Sequence, residues 1–462
     1  NILFTAMAML ATLIAGPAGA QADTCVLSKN YANAQYTVEV GVGTPPQILN
    51  AVPDTGSFEL MMTSTECTGC EGHPQFESHN SSTFITLGTA VETKFGQGDV
   101  SSTVDYDNVA LGSLVAHKQS ILLMKNNQLR NFKEAAYDAV MGMGRETKAR
   151  SYSDDLSLMA SLHAPVTGVC VGQGEGDPGR LQVGAQVPGL QYESLPVVGT
   201  THWSINIDNV GLAGGKHASH IVQIPGCEGT TGCQAIVDSG TSLMALPKNI
   251  LDKVLDQIGK IKPDCSNVDD LPAIRFSQGD KHFDLPPQLY VAKMLNDDST
   301  TKILSNSSAA SLAASSDIPF FRMPWKHEAV TLDASSATSC MPLFMEMDIA
   351  TSFSGPAMIF GLPFLRAYAA RFDRAEQTVS LGAIPLGSNL CTHCGEGHVG
   401  SSASSLVAGS ISLAATSASA LQPHGMGATH ERPVLNPKHL RLPSWLHAIK
   451  RHPVTGRHTI AL

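Results

Sequence analysis

One short pattern, an aspartate followed by a hydroxyl residue and a glycine, occurs twice in this chain, about half its length apart. Val52–Ser57 reads VPDTGS, and Ile236–Thr241 reads IVDSGT. Each copy is followed later by two apolar residues and a glycine, at Val140–Gly142 and at Ile359–Gly361. A repeated order at this spacing predicts two related lobes, each contributing one aspartate to a shared cleft.

The length and the charge of the chain agree with this interpretation. At 462 residues, the chain exceeds the ~250–300 residues that one hydrophobic core usually serves. Charged residues make up 15% of it, too few for a wholly disordered chain or a long coiled coil. The net charge is −10, and the acidic excess lies before Ser388. Because phosphate contacts need a basic face, this charge excludes nucleic acid as a partner.

Short segments rich in β-forming residues, separated by Gly and Pro, run through residues 31–386. Strand patterns are clearest at Tyr36–Val40, Ser204–Ile207 and Thr378–Leu381, where apolar residues alternate or β-branched residues accumulate. The best helical pattern is Ile250–Ile261, with apolar residues three and four positions apart. The sequence therefore predicts a mostly β fold with minor helix.

Paired carboxylates at the floor of a cleft can perform acid–base chemistry on a water molecule. Asp54 and Asp238, one from each lobe, cannot comfortably both be ionised, so we expect them to share one proton. The ionised partner can take a proton from a water that attacks a peptide carbonyl, while the protonated partner donates to the carbonyl oxygen. This chemistry requires no metal, no cofactor and no nucleophilic side chain. A single Asp-Thr-Gly would indicate only a turn, but two copies with matching companions favour the paired site.

The repeated motifs and the segments around them resemble the pepsin-like aspartic proteases over residues 31–386. Val42–Gln47 is similar to the family's entry strand, and Cys233–Leu243 to its second catalytic motif. Tyr137–Gly144 and Phe360–Arg366 resemble the two later glycine elements. The resemblance implies a bilobal fold of two β-barrel-like lobes with a cleft between them. It also implies an aspartic endopeptidase that cleaves peptides or proteins at acid pH.

The resemblance assigns the catalytic roles to Asp54 and Asp238. In the family, hydroxyl groups beside the two aspartates hydrogen-bond the outer carboxylate oxygens, and glycines complete the motifs. The supporting residues implied in this way are Ser57, Thr241, Gly56 and Gly240.

The hairpin that covers the cleft in this family, the flap, corresponds here to Phe95, Gly96 and Gln97. Phe95 stands where the family has a tyrosine, and Met61 stands where it has the tryptophan whose N–H pairs with that tyrosine. Pro53, directly before the first aspartate, removes a backbone donor from an expected inner strand. These departures support an alternative function, a catalytically weak pseudo-protease that binds peptides. A purely structural secreted protein is a third hypothesis.

Ten cysteines indicate an oxidising compartment. The resemblance implies the disulfides Cys67–Cys70, Cys227–Cys233 and Cys265–Cys340. Four cysteines then remain with three possible pairings, at positions 25, 170, 391 and 394. A zinc site would need a second CxxC or a His pair at suitable spacing, and the CxxC at 391–394 is expected to lie beyond the folded body, so no metal site is predicted.

Residues 1–22 are predicted to be a signal peptide that is incomplete at its start, because the apolar run Ile2–Ile14 precedes the small residues Ala18–Ala20. The run is too short to span a bilayer. We expect the secretory pathway, with an extracellular or an acidic vacuole- or lysosome-like destination. The family's basic propeptide does not fit before Tyr31, so either the start is missing or the enzyme is not held as a pepsin-type zymogen.

The domain prediction divides the rest of the chain into three parts. Residues 31–195 form the N-terminal lobe with the first aspartate and the flap, and residues 196–386 form the C-terminal lobe with the second. Residues 387–462 are a low-complexity, basic tail that we expect to be disordered and dispensable for activity. The protein is expected to be a monomer without a stable membrane span. Asn80 and Asn306 are candidate glycosylation sites.

Overall fold

The computed structural model describes most of the chain up to residue 395 and a few short pieces after it. The described residues are 23–95, 98–129, 132–145, 157–215, 217–228, 232–295, 321–322, 337–347, 350–351, 355–395, 434–436, 439–443, 449–451 and 458–460. Three predicted features lie outside them: the signal peptide at 1–22, the flap residues Gly96 and Gln97, and the glycosylation candidate Asn306.

Strands dominate the described part of the chain. Those up to Pro196 are β1 (Thr24–Tyr31), β2 (Gln35–Val42), β3 (Gln47–Asp54), β4 (Leu60–Met62), β5 (Ile85–Phe95), β6 (Gly98–Leu111), β7 (Leu114–Asn127), β8 (Ala139–Gly142), β9 (Val166–Cys170), β10 (Gly179–Val183) and β11 (Tyr192–Pro196). Those after it are β12 (Ser204–Ile207), β13 (Asn209–Gly214), β14 (His217–Ile224), β15 (Cys233–Val237), β16 (Met244–Leu246), β17 (Ala273–Gln278), β18 (Lys281–Leu285), β19 (Val291–Leu295), β20 (Phe321–Arg322), β21 (Thr338–Pro342), β22 (Phe344–Met347), β23 (Ala350–Thr351), β24 (Ala357–Phe360), β25 (Tyr368–Asp373), β26 (Thr378–Ala383), β27 (Val434–Leu435), β28 (Ile449–Arg451) and β29 (His458–Ile460).

Helices are few and short. The α-helices are α1 (Leu158–Ser161), α2 (Lys248–Ile258), α3 (Pro287–Tyr290) and α4 (Leu362–Ala367), and 3-10 turns occupy Ser78–Asn80, Phe132–Glu134 and Val268–Asp270. The predicted helix is confirmed as α2, whose apolar residues are all buried on one face. It ends at Gly259, which has a φ of 79°, a conformation that glycine adopts without a steric penalty. The prediction of a mostly β fold with minor helix is confirmed.

The strands form one large sheet and several smaller ones. The largest has 13 strands in the order β11-β26-β25-β9-β10-β1-β2-β3-β8-β4-β7-β6-β5. The second half of the chain adds a six-stranded sheet, β12-β15-β24-β16-β22-β20, and a four-stranded sheet, β14-β13-β17-β18. Two three-stranded sheets, β21-β19-β27 and β23-β29-β28, involve strands close to the C-terminal end. Because β25 and β26 join the first sheet, the two halves share a continuous hydrogen-bonded layer.

The repeat in the sequence is also a repeat in strand topology. In the first half, β3 runs parallel to β8, β8 antiparallel to β4, and β4 parallel to β7. In the second half, β15 runs parallel to β24, β24 antiparallel to β16, and β16 parallel to β22. The paired registers place Asp54 beside Gly142 and Val237 beside Phe360. The two apolar-apolar-Gly segments are therefore the direct neighbours of the two aspartate strands.

Five disulfides link the described residues. The three implied by the resemblance are present: Cys67–Cys70, Cys227–Cys233 and Cys265–Cys340. The four remaining cysteines pair as Cys25–Cys394 and Cys170–Cys391. Cys391 is buried in an apolar cluster, so the expectation that the CxxC at 391–394 lies beyond the folded body is wrong.

The expectation of a disordered tail is also wrong for the described residues after 386. Strand β27 pairs in parallel with β19. Leu435 and Leu440 are buried in an apolar cluster of the second half, and Leu442 packs against the same cluster. The average composition of the tail is polar, but burial depends on individual side chains. These leucines supply enough apolar area to hold the described residues against the body. Within the described residues, no helix has the length and apolar character needed to cross a membrane.

Truncation of the chain tests the structural role of the CxxC segment. A chain that ends at Gly387 loses both long-range disulfides, whereas one that ends at Gly395 keeps them. We expect the shorter chain to lose about 2–5 kcal/mol of unfolding free energy per disulfide relative to the longer one. Denaturant unfolding, with titration of free thiols, measures the difference. Equal stability of the two chains would contradict this role.

Candidate active site

Asp54 and Asp238 occupy equivalent positions in the two halves. Asp54 is the last residue of β3, and Asp238 directly follows β15. Both carboxylates are buried, at 1% and 0% exposure. The N–H of Gly56 donates to Asp54 Oδ1 at 2.9 Å, and the N–H of Gly240 donates to Asp238 Oδ1 at 2.8 Å. The same local turn therefore orients each carboxylate.

The two glycines allow the carboxylates to face each other. A Cβ atom added to Gly56 would lie 2.7 Å from Asp238 Cγ, and one added to Gly240 would lie 2.3 Å from Asp54 Cγ. Each aspartate therefore lies against the glycine of the opposite half. Any larger residue would collide with the carboxylate, so close approach, rather than backbone conformation, requires glycine here.

The middle residues of the two motifs connect the halves through four hydrogen bonds. Thr55 Oγ1 donates to Val237 O at 2.8 Å and accepts from the N–H of Ser239 at 2.9 Å. Ser239 Oγ donates to Pro53 O at 2.7 Å and accepts from the N–H of Thr55 at 3.1 Å. The sequence analysis did not select Thr55 or Ser239. The available signal was a hydroxyl residue at the same position of both motifs.

The unusual Pro53 fits this network. In an extended strand, the N–H and C=O of one residue point to the same side. The carbonyl of Pro53 accepts from Ser239 of the other half, so its missing N–H falls on that same side and not on the side of β8. Pairing between β2 and β3 also ends before it, at Val38 and Ala51. Pro53 therefore costs no ladder hydrogen bond.

The outer oxygens of the two carboxylates have different partners. Thr241 Oγ1 donates to Asp238 Oδ2 at 2.6 Å, as the resemblance implies. The corresponding interaction of Ser57 is absent, because its buried Oγ has no hydrogen-bond partner among the described residues. Instead, Nη2 of Arg441 lies 3.4 Å from Asp54 Oδ2. The expected role of Ser57 is therefore wrong for this state of the protein.

Arg441 is a site residue that the sequence analysis missed. Its side chain is 4% exposed, and its guanidinium carbon lies 4.8 Å from the centre of the Tyr137 ring. It belongs to the stretch that was expected to be disordered, and no motif surrounds it. A contact between residues so far apart in the sequence has no local signal that could have found it.

Phe95 is the one residue of the predicted flap whose position is described. Phe95 is 6% exposed and packs in one apolar cluster with Met61. Both side chains line a small pocket with Leu122, Val140 and the residues Ser57, Glu59 and Thr93. The two departures from the family pattern are therefore neighbours, and an apolar contact occupies the place of a tyrosine–tryptophan hydrogen bond.

Burial dominates the electrostatics of the pair. Burial, and secondarily the negative charge of Asp54, raise the pKa of Asp238 to about 7, against an ordinary 3.8. The hydrogen bonds from Thr241 and Gly240 oppose this shift. Burial also raises the pKa of Tyr137, which stays neutral beside Arg441. Asp238 therefore keeps its proton to a higher pH than an ordinary aspartate does.

Two buried carboxylates that face each other across duplicated halves are the arrangement by which aspartic proteases activate water. Residues 35–313, more than half of the chain, match the family model described as eukaryotic aspartyl protease. The chain belongs to the eukaryotic aspartyl protease family, and the pepsin-like resemblance is confirmed. The protein is thus a hydrolase, an aspartic endopeptidase acting on peptides or proteins.

Curated relatives span most of the chain. Gastricsin of Rattus norvegicus is 30% identical over 368 residues, which cover 76% of this chain and 81% of the relative. Cathepsin D of Rattus norvegicus is 27% identical over 379 residues, with the same two shares of 76% and 81%. Chymosin of Bos taurus is 28% identical over 280 residues, covering 57% and 71%.

Substitution of Thr55 tests the network between the halves. Thr55→Val leaves the N–H of Ser239 and the carbonyl of Val237 buried without their partner, at a cost of about 1–3 kcal/mol for each group. Thr65→Val, at an exposed threonine, is the matched control and should stay within about 0.5 kcal/mol. Denaturant unfolding of both variants provides the comparison. Equal stability of the two would show that the hydroxyl of Thr55 does not hold the halves together.

The raised pKa of Asp238 predicts a pH-dependent stability. Because the folded state holds this proton up to about pH 7 and the unfolded chain only to 3.8, folding binds a proton between these values. The contribution of the protonated Asp238 to the free energy of unfolding is complete below the unfolded pKa. It is lost as pH rises through the folded pKa. Asp238→Asn should therefore lose less stability than wild type between about pH 4 and about pH 7.

Denaturant midpoints at several pH values across this range measure the effect. Asp280→Asn, at an exposed carboxylate, is the control and should retain the wild-type slope. A slope for Asp238→Asn equal to that of wild type would show that Asp238 does not take up the proton.

Proposed function

We propose that this endopeptidase hydrolyses peptide bonds through Asp54 and Asp238, which activate a water molecule by general acid–base catalysis. The observation that carries the proposal is the mutual approach of the two carboxylates, each lying against the glycine of the other half. Their burial supports it further, since two such groups in a low-dielectric site retain one proton between them.

The roles within the pair follow from the environment of each carboxylate. Asp238, with its raised pKa, is the protonated partner and donates to the carbonyl oxygen of the scissile bond. Asp54 takes a proton from the water as its oxygen adds to the carbonyl carbon, which gives a neutral tetrahedral diol. The C–N bond then breaks as Asp54 returns that proton to the leaving nitrogen and Asp238 recovers a proton from one hydroxyl of the diol. Thr241 and the N–H groups of Gly56 and Gly240 hold the carboxylates in place. An acid optimum follows, because Asp238 loses the proton that it must donate as pH rises through about 7.

The residues beside the pair favour an apolar substrate. Met61, Phe95, Leu122 and Val140 supply most of the lining of a pocket that, in this structure, has room for only about one water molecule. Contact between this apolar surface and an apolar substrate side chain stabilises the complex by about 25 cal/mol per Å² of area removed from water. We therefore propose cleavage next to apolar residues, with Phe95 of the flap hairpin as part of the pocket wall.

The disulfides support a location on the secretory route. All ten cysteines are paired, which requires an oxidising environment. Two of these disulfides join positions more than 200 residues apart. We propose an extracellular or acidic vesicular destination, consistent with acid-range catalysis.

Substitution of each aspartate tests the catalytic assignment. Asp54→Asn and Asp238→Asn should each reduce kcat by about 10²–10⁴-fold or more, because an amide neither shares nor accepts the proton. Asp280→Asn is the surface control and should cleave at the wild-type rate. Digestion of an unfolded protein at acid pH, followed by mass spectrometry of the products, measures turnover and gives the cleavage sites.

Binding of a statine-type inhibitor separates the two candidate functions. Cleavage that the inhibitor blocks supports the endopeptidase. Inhibitor binding without cleavage would instead identify a peptide-binding pseudo-protease. The apolar contact of Phe95 and Met61 favours this alternative, as does the hydroxyl of Ser57, which has no hydrogen-bond partner within the described part of the chain.

A further inference from the structure

Residues 439–443, called the cleft segment below, lie between the two halves of the molecule. The N–H of Ser242 donates to the carbonyl of Arg441 at 3.0 Å, and the N–H of Arg441 donates to Ser242 Oγ at 2.7 Å. From the first half, Gln35 Nε2 donates to the carbonyl of His439 at 2.7 Å. Main-chain hydrogen bonds on both sides are the means by which proteins hold an extended peptide.

The side chain of Arg441 reaches the carboxylate pair. Its guanidinium lies over the ring of Tyr137 and against Asp54 Oδ2, and both it and Asp54 are almost fully buried. Arginine suits this position because its planar, weakly hydrated cation both stacks on an aromatic ring and pairs with a carboxylate. The contacts together form a built site for one arginine side chain.

Leucines on either side of Arg441 anchor the cleft segment. Leu440 is 7% exposed within an apolar cluster that includes Ala34 of the first half and Leu243 of the second, and Leu442 packs against the same cluster. A pattern of main-chain pairing, one charged side chain in a pocket and apolar neighbours is that of a bound peptide rather than of a loop crossing the surface.

The contact of Arg441 with Asp54 displaces an element of the catalytic arrangement. In the second half a hydroxyl, that of Thr241, donates to the outer oxygen of its aspartate. In the first half the guanidinium takes this position, and the hydroxyl of Ser57 is left buried without a partner among the described residues. The cation also neutralises the carboxylate that must accept a proton from water.

We propose that the cleft segment is an intramolecular peptide ligand that blocks the carboxylate pair, and that the cleft contains a binding site for an arginine-bearing peptide. The blocking role rests on the proposed function. Displacement of the segment frees Asp54 Oδ2, and rotation of the Ser57 hydroxyl then supplies the donor that the second half already has. Residues 439–443 thus lower the activity of the enzyme until they are displaced.

Binding of a statine-type inhibitor to the full chain tests the proposal independently of turnover. Arg441→Ala should bind the inhibitor about tenfold or more tightly than wild type, the factor that loss of one charge-assisted hydrogen bond gives. Arg441→Gln removes the charge but keeps a long side chain with an N–H donor. This variant takes the place of Arg441→Ala in the binding measurement if the alanine variant does not fold. Lys260→Ala removes an exposed positive charge and should bind the inhibitor as wild type does.

A synthetic peptide tests the ligand class. Replacement of Leu440, Arg441 and Leu442 together by alanine removes the three side chains that hold the cleft segment. A peptide with the sequence of residues 436–443 should then compete with the inhibitor for this variant. The same peptide with the Arg441→Ala change should compete about tenfold or more weakly.

The outcomes separate this inference from the proposed function. Inhibitor affinity of the Arg441 variants no higher than that of wild type, including no binding by any chain, overturns the inference. Tighter binding without cleavage of any substrate leaves the peptide site in place and removes the endopeptidase mechanism. Tighter binding with a matching rise in kcat/KM supports both. A loss of activity and affinity together would show that Arg441 is only structural.

Discussion

The position of one carboxylate relative to the other depends on the hydrogen bonds between Thr55 and Ser239. Each hydroxyl bridges two backbone groups at the ends of β3 and β15, so the two halves meet at a fixed distance. Because the groups are buried, water does not compete, and the bonds act at the low dielectric of the interior. The strands β8 and β24 pair in parallel with β3 and β15 and so fix the ends of these two strands.

The hydrogen bonds of Thr55 and Ser239 keep the two carboxylates close together, and this proximity determines the electrostatics of the site. Burial and the nearby carboxylate of Asp54 raise the pKa of Asp238 to about 7. The outer oxygens of the two carboxylates have different donors. The neutral hydroxyl of Thr241 donates to Asp238, and the guanidinium cation of Arg441 lies against Asp54. The first partner is neutral, whereas the second carries a positive charge. The difference between the halves is therefore chemical, although their strand topology is the same.

The sequence predicted those parts of the molecule that depend on local or repeated patterns. The duplicated motif predicted the two aspartates and their glycines, and the spacing of apolar residues predicted α2. The partners of Cys391 and Cys394 could not be predicted from the sequence. Pairing across hundreds of residues depends on where β1, which carries Cys25, and β9, which carries Cys170, lie in the sheet. The position of Arg441 could not be predicted for a different reason, because the average composition of a polar tail does not reveal three leucines and one arginine that become buried.

Each of the two motif glycines lies against the carboxylate of the other half, so the two halves constrain each other's sequence at these positions. A side chain at Gly240 would lie within 2.3 Å of Asp54, and one at Gly56 within 2.7 Å of Asp238. A side chain added to the glycine of one half therefore displaces the carboxylate of the other. Neither copy of the motif can therefore change at its glycine without an effect on the other copy, even though the disulfides of the two halves differ.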